Sequence, residues 1–216
     1  MAADLRMLLA TRSSGKLKEL SGLLYAEGIE AVTLDQARIE YTVDEEDIEC
    51  FDTFEENALA KARYFFRKSG MPTLADDSGL SVNSLDGAPG VWSRRYSGRD
   101  DLEGQDLDDA NNAKLLSALT GFRDVSASYT CAAAYFDGTK ELVALGHTFG
   151  RIVVSPRGDN GFGYDPYFFS TELQKTFGDA GIEAKAAVSH RGRAFRALFA
   201  AWRNAATSGK PLRSGA

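Results

Sequence analysis

MLLATRSSGKLKELSGLLYAEGIEAVTL, residues 7–34, decides the fold class. Met7 to Ala10 is a short apolar run and reads as a buried strand. The polar loop Thr11-Arg12-Ser13-Ser14-Gly15 follows. Lys16 then opens a helix whose apolar face is Leu17, Leu20, Leu23 and Leu24. Gly28 caps that helix, and Ile29–Leu34 forms a second strand. Strand, loop, helix and strand in this order make an α/β unit. Its loop lies at a strand's carboxyl end, where open α/β sheets take their ligands.

Downstream, the acidic and irregular stretch Asp44–Asp52 gives way to Thr53, an N-cap with Glu56 three residues on. The helix it starts carries Ala58, Leu59, Ala62, Phe65 and Phe66 and stops before Gly70-Met71-Pro72. Thr73-Leu74-Ala75 reads as a short strand running into Asp76-Asp77-Ser78-Gly79. Asn83–Gly98 is rich in Gly, Ser, Arg and aromatics. Asp108 or Asp109 is then expected to cap a short helix over Ala113, Leu115, Leu116 and Leu119, ended by Gly121. Ser126–Phe136 alternates, Asp137-Gly138 signals a hairpin, and Glu141–Val154 supplies the returning strands. The last helix starts near Ser189 with Phe195, Leu198, Phe199 and Trp202 on one face, and residues 207–216 read as a loose tail. An antiparallel middle between βα-like ends predicts an α/β protein with a mixed sheet.

The chain has 216 residues, 44% hydrophobic and 26% charged, which suits one domain or one domain of two lobes and excludes a disordered chain. Lys and Arg number 25 against 31 Asp and Glu, a net charge of −6, which argues against a general nucleic-acid binder. A small anion is not excluded, because a few local cations suffice for it. Cys50 and Cys131 form no C-x-x-C pair and read as reduced thiols. No apolar run approaches the about 20 residues of a membrane span, and Met7–Ala10 is too short for a signal sequence. The expected location is the cytoplasm, with no membrane partner.

Four segments carry chemistry. Ser13-Ser14-Gly15-Lys16 suggests a P-loop, but the glycine and hydroxyl positions of that motif hold Ala10 and Leu17. What remains is a strand-to-helix loop whose backbone N–H groups and Lys16 favour phosphate; a capped helix start with a solvated lysine is the plain alternative. Asp76 and Asp77 are adjacent on an extended chain, so they point to opposite faces and do different jobs. One suits a hard cation such as Mg²⁺, the other the orientation or deprotonation of water; an Asp-rich turn is the plain alternative. Gly161-Phe162-Gly163-Tyr164-Asp165-Pro166 lets a ring stand clear of the backbone to stack on a planar ligand, with Asp165 beside it as acceptor. Lys185 and Ser189-His190-Arg191-Gly192 place a neutral imidazole and a rigid donor fork at a helix start. His147, in an apolar strand, reads as a core histidine. Lys61 reads as a surface charge unless its helix faces a cleft.

Together these segments resemble the inosine triphosphate pyrophosphatase family. The stretches that carry the resemblance are LLATRSSGKLKEL (Leu8–Leu20), TFEENALAKA (Thr53–Ala62), LADDSGLSVNSLDGAPGVWSRRYSG (Leu74–Gly98), GFGYDP (Gly161–Pro166) and KAAVSHRG (Lys185–Gly192), in family order along nearly the whole chain. The resemblance implies one elongated, two-lobed α/β domain over residues 1–216, with a mixed sheet, a central cleft and a homodimer. It implies Mg²⁺-dependent hydrolysis of deaminated purine nucleoside triphosphates (ITP, dITP, XTP) to the monophosphate and pyrophosphate. It assigns a phosphate loop to Thr11, Arg12, Ser13, Ser14, Gly15 and Lys16, and cleft lysines to Lys61 and Lys185. The metal-binding and water-activating acid falls on Asp77, with Asp76 beside it and Ser78 against substrate. The base pocket falls on Phe162, Gly163, Tyr164, Asp165, His190 and Arg191. A second metal ligand falls on Glu49 by its spacing from Phe54, with Glu45 and Glu46 as alternatives. The chain departs from the family pattern at Ser13, Trp92, Arg94, Asn160 and Phe177–Ala180. Other readings are a pyrophosphatase for modified pyrimidine or methylated nucleotides, a non-enzymatic nucleotide-binding module, and a nucleic-acid binder using Arg94-Arg95-Tyr96.

Overall fold

The computed structural model describes residues 5–207. β1 (Leu5–Leu9), α1 (Ser14–Ala26) and β2 (Ile29–Thr33) form the expected unit, with β1 and β2 parallel. The helix begins before Lys16 because Ser13 caps it, its hydroxyl accepting the Lys16 N–H at 3.3 Å. α2 (Phe54–Ser69) starts as predicted, with Thr53 Oγ1 accepting the Glu56 N–H at 3.2 Å.

Two elements differ from the sequence reading. The strand at Thr73 does not end before the acids: β3 runs Thr73–Val82 and carries Asp76-Asp77-Ser78-Gly79 in its middle. It pairs antiparallel with β4 (Ser126–Phe136), Asp76 opposite Ala133 and Asp77 opposite Ala132. The acids look like a turn by composition, and distant cations keep them in the strand instead. α3 covers Gly104–Ala118, so Asp108 lies inside it and caps nothing.

The hairpin at Asp137-Gly138 joins β4 to β5 (Glu141–Ile152), the Asp137 N–H reaching the Lys140 carbonyl. β6 (Phe168–Ser170) and β7 (Lys175–Thr176) then add antiparallel strands at the far edge, so the C-terminal end is not βα-like. α4 (Ile182–Val188) and α5 (His190–Thr207) return to the sheet. The predicted tail lies outside the described residues, save Thr207, which ends α5.

Seven strands make one mixed sheet in the order β2-β1-β3-β4-β5-β6-β7. α1 and α5 cover one face, packing Leu20, Leu24, Phe195, Leu198 and Phe199 on Met7, Leu9, Leu74 and Ala133. α2 covers the other, with Ala58, Ala62 and Phe65 on Leu8, Ala75, Ala132 and Ala134. The small side chains of β4 let helices approach from both sides. A separate core at the far end joins Leu80, Val82, Leu115, Tyr129, Tyr164, Phe168 and Phe177. β3 and β4 contribute side chains to all three cores. His147 is exposed on β5, its ring nitrogen 3.0 Å from Thr130 Oγ1, and so is not a core histidine. Among the described residues no helix is long and apolar enough to cross a membrane.

Candidate active site

The site follows from unequal strand lengths. β1 pairs with β3 only at Leu8–Thr73 and Leu9–Leu74, then stops, while β3 runs on to Val82. Beyond Leu74 the edge of β3 facing β1 therefore lacks a partner strand, and its carbonyls need other donors. Lys16 from α1 and Lys61 from α2 supply them: the two ammonium groups lie 3.4 and 2.9 Å from the carbonyl oxygen of Asp76. The α1 N-terminus, with its free backbone donors, opens at the same point. A cleft of about 580 Å³ starts here, within the usual ligand-site range of about 300–1,000 Å³.

Asp76 and Asp77 take opposite faces, as their alternation predicts. Asp76 is fully buried on the α1/α5 side. Its Oδ2 is 3.1 Å from both Lys16 Nζ and Arg191 Nε. Burial opposes its charge, but Lys16, Arg191 and Lys61 outweigh that and hold its pKa well below the ordinary carboxylate value. Asp77 lies on the α2 side and lines the cleft. Asn57 Nδ2 donates to its Oδ2 at 3.0 Å and the Ser78 N–H to its Oδ1 at 2.9 Å. Burial and the nearby Glu49 raise its pKa, against the pull of Lys61 and Lys16.

Of the three acids considered upstream, only Glu49 joins Asp77. Glu49 pairs with Lys61, whereas Glu45 pairs with Arg12 and Glu46 accepts from the Tyr41 hydroxyl at 2.6 Å. Burial opposes ionisation of Glu49, but Lys61 and Lys16 more than compensate. Asn57 ties the pieces together, because it also exchanges two hydrogen bonds with the backbone of Phe51, just past Glu49. No group of three or more metal-ligating side chains occurs among the described residues. Two carboxylates still fit Mg²⁺, which keeps several waters and takes one or two carboxylates plus substrate phosphates.

The other end of the cleft is built by α5 and the loop before β6. α5 rests its first turn directly on β5: a Cβ at Gly146 would lie 2.2 Å from the His190 carbonyl oxygen. His190 is thereby buried and stacks on Tyr129, ring centroids 4.5 Å apart. Burial, then Arg191 and Lys185, hold its pKa well below the usual value, so the ring is neutral. Its Nδ1 is buried with no hydrogen-bond partner among the described residues. Phe162 spans the cleft and packs on the phosphate loop, where a Cβ at Gly15 would fall 2.4 Å from its ring.

Four of the cleft-lining side chains are already partnered within the chain. Lys185 lines the cleft, with its Nζ 2.5 Å from both Asp165 Oδ2 and Glu19 Oε1. Arg191 is committed to Asp76, to Glu19 and, at 2.8 Å, to Ser78 Oγ. Tyr164 sits in the far-end core and donates its hydroxyl to the Ser93 carbonyl at 2.7 Å. Arg12 lines the cleft and pairs there with Glu45. Two participants, Glu19 and Asn57, were missed. Both were findable: Glu19 follows Lys16 by three residues on α1 and Asn57 precedes Lys61 by four on α2, spacings that share a helix face.

Fold and site together define a mixed α/β protein with a cation-edged cleft and a carboxylate pair at its strand switch. The Ham1 family model matches residues 7–201, and the chain belongs to the Ham1 family. A dITP/XTP pyrophosphatase of Geobacter sulfurreducens is 44% identical over 89% of this chain and 94% of its own length. One of Burkholderia pseudomallei is 45% identical over 92% and 94%. Among solved structures, a HAM1 protein from Coxiella burnetii superposes with a TM-score of 0.78 at 36% identity, covering 93% of this chain and 99% of that one.

Proposed function

We propose that this chain hydrolyses deaminated purine nucleoside triphosphates (ITP, dITP and XTP) to the monophosphate and pyrophosphate, with Mg²⁺ as its metal. The observation that carries the reading is the placement of Asp77 on the cleft face of β3, bonded to Asn57 and neighboured by Glu49 and Lys61. The names of the Geobacter and Burkholderia relatives support it.

Lys16, Lys61 and the α1 N-terminus receive the triphosphate. Glu49 and Asp77 would hold Mg²⁺, which when bound neutralises charge on phosphate oxygens. Asp77 orients a water and takes its proton as the oxygen bonds to phosphorus and the bond to pyrophosphate breaks. Phe162 stacks on the purine. His190, neutral and with an orphaned Nδ1, is the group that reads the 6-position, with Arg191 held beside it by Asp76, Glu19 and Ser78. A site built to pair with a 6-carbonyl leaves buried groups unpaired against adenine, which discriminates strongly.

Pyrophosphate release from ITP, dITP, XTP, ATP, GTP and dTTP, with and without Mg²⁺, tests the whole reading. Release from the first three is expected only with the metal, and at least about a hundredfold slower from ATP. Equal rates on ATP, GTP and ITP would defeat the base assignment, and equal rates without metal the Mg²⁺ assignment. The reading also places the enzyme in the cytoplasm, a reducing compartment suited to its two free thiols. A homodimer is part of the proposal; the exposed Val143, Leu145 and Phe149 of β5 supply an apolar stripe for it. Sedimentation of Phe149→Asp checks that: a wild-type dimer should become a monomer.

A further inference from the structure

α3 carries polar side chains that the reaction above does not use, and they grip both lips of the cleft. Asp108 Oδ2 accepts the Gly163 N–H at 2.7 Å, and Asn112 Nδ2 donates to the Gly163 carbonyl at 3.0 Å. Both backbone groups of one loop residue are thus held by one helix. Gly163 has φ +63°, a left-handed conformation that other residues adopt rarely, and it directly follows Phe162. The adjacent Asn111 holds the opposite lip: its Oδ1 accepts the Ser97 N–H at 2.7 Å and its Nδ2 donates to the Arg94 carbonyl at 2.8 Å. Asn111 and Asn112 are both buried. The side-chain hydrogen bonds of both go to Ser97, Arg94, Asp108 and Gly163, away from Asp77, Lys61 and Glu49.

We propose that Asp108 and Asn112 are positioning residues for nucleobase binding. They fix Gly163, and through it the Phe162 ring against Gly15, without touching the hydrolytic end of the cleft. A ring fixed in place before the ligand arrives spares the ordering cost of binding. The inference rests on the nucleotide reading of the site.

The test compares Asp108→Ala, Asn112→Ala and Asp108→Asn in ITP hydrolysis, with melting curves to confirm folding. Each alanine variant is expected to raise KM about tenfold, equivalent to about 1.4 kcal/mol, with kcat near the wild-type value. Asp108→Asn keeps an oxygen that accepts the Gly163 N–H and should restore most of the lost affinity. In a Phe162→Ala background, Asp108→Ala should add nothing further, because the clamp acts through that ring. An unchanged KM, a loss confined to kcat, or full additivity with Phe162→Ala would overturn the proposal. A separate readout is amide hydrogen exchange at residues 161–165, protected in the wild type and released in Asp108→Ala. If the wild type releases no pyrophosphate from ITP, the functional reading falls and the clamp is judged by exchange alone. Identical exchange in the two proteins overturns the clamp.

Discussion

Asp76 and Asp77 are neighbours in the chain and opposites in the molecule. On the α1/α5 face, Asp76 is buried among Lys16 and Arg191, and its carboxylate is stabilised far below its usual pKa. On the α2 face, Asp77 meets the Asn57 amide, the Ser78 N–H and the cleft, and its pKa is raised. One acid is spent on structure, assembling Arg191 and Lys16 from two helices. The other is held on the cleft face by Asn57 and the Ser78 N–H, beside Glu49 rather than beside a guanidinium. Adjacent identical residues acquire different roles because a strand sends them to surfaces with different partners.

The strongest way to break the contrast is Asp76→Ala. It leaves Arg191 buried beside Glu19 with one anion too few, and removal of one partner from a buried pair costs about 3–5 kcal/mol. Urea unfolding should show that loss, and a change below about 1 kcal/mol would equate the two acids. Next comes Gly15→Ala. Its methyl must displace the Phe162 ring, so KM for ITP should rise about thirtyfold, about 2 kcal/mol. Alanine is the better helix former, so the melting temperature should not fall. A smaller effect is electrostatic and sits on the Asp76 face. His190 has a folded-state pKa far below its unfolded value, so the unfolded chain binds the extra proton. Stability should therefore fall as pH drops from about 6.5 to 5.5, by up to about 1.4 kcal/mol per unit. Arg191 and Lys185, cations beside it, have raised pKa values and stay charged throughout that window. His190→Phe keeps the stack on Tyr129 and should flatten this part of the urea-derived pH profile.

Local patterns made much of the fold legible. The alternation of Ser126–Phe136 matches β4, and Thr53 with Glu56 marks the start of α2, because both signals lie within a few residues. β3 was read short because Asp76-Asp77-Ser78-Gly79 is turn-like by composition. The groups that partner its acids, the Lys16 and Arg191 cations and the Asn57 amide, come from far away in sequence. The start of α3 was misplaced because it has no side-chain cap, while Asp108 and Asp109 imitate one further on. At the site, the segments were legible and their grouping was not. Lys185 reads as a phosphate cation until α4 is seen to deliver it to Asp165 and Glu19.

The most direct test of the account is Asp77→Asn, measured for ITP turnover and for melting in the same preparation. Asparagine keeps the shape and removes the charge. The account predicts turnover reduced by about a thousandfold or more, about 4 kcal/mol, with a melting temperature equal to or above the wild type. Near-normal turnover, or a collapse of the fold like that expected for Asp76→Ala, would contradict it.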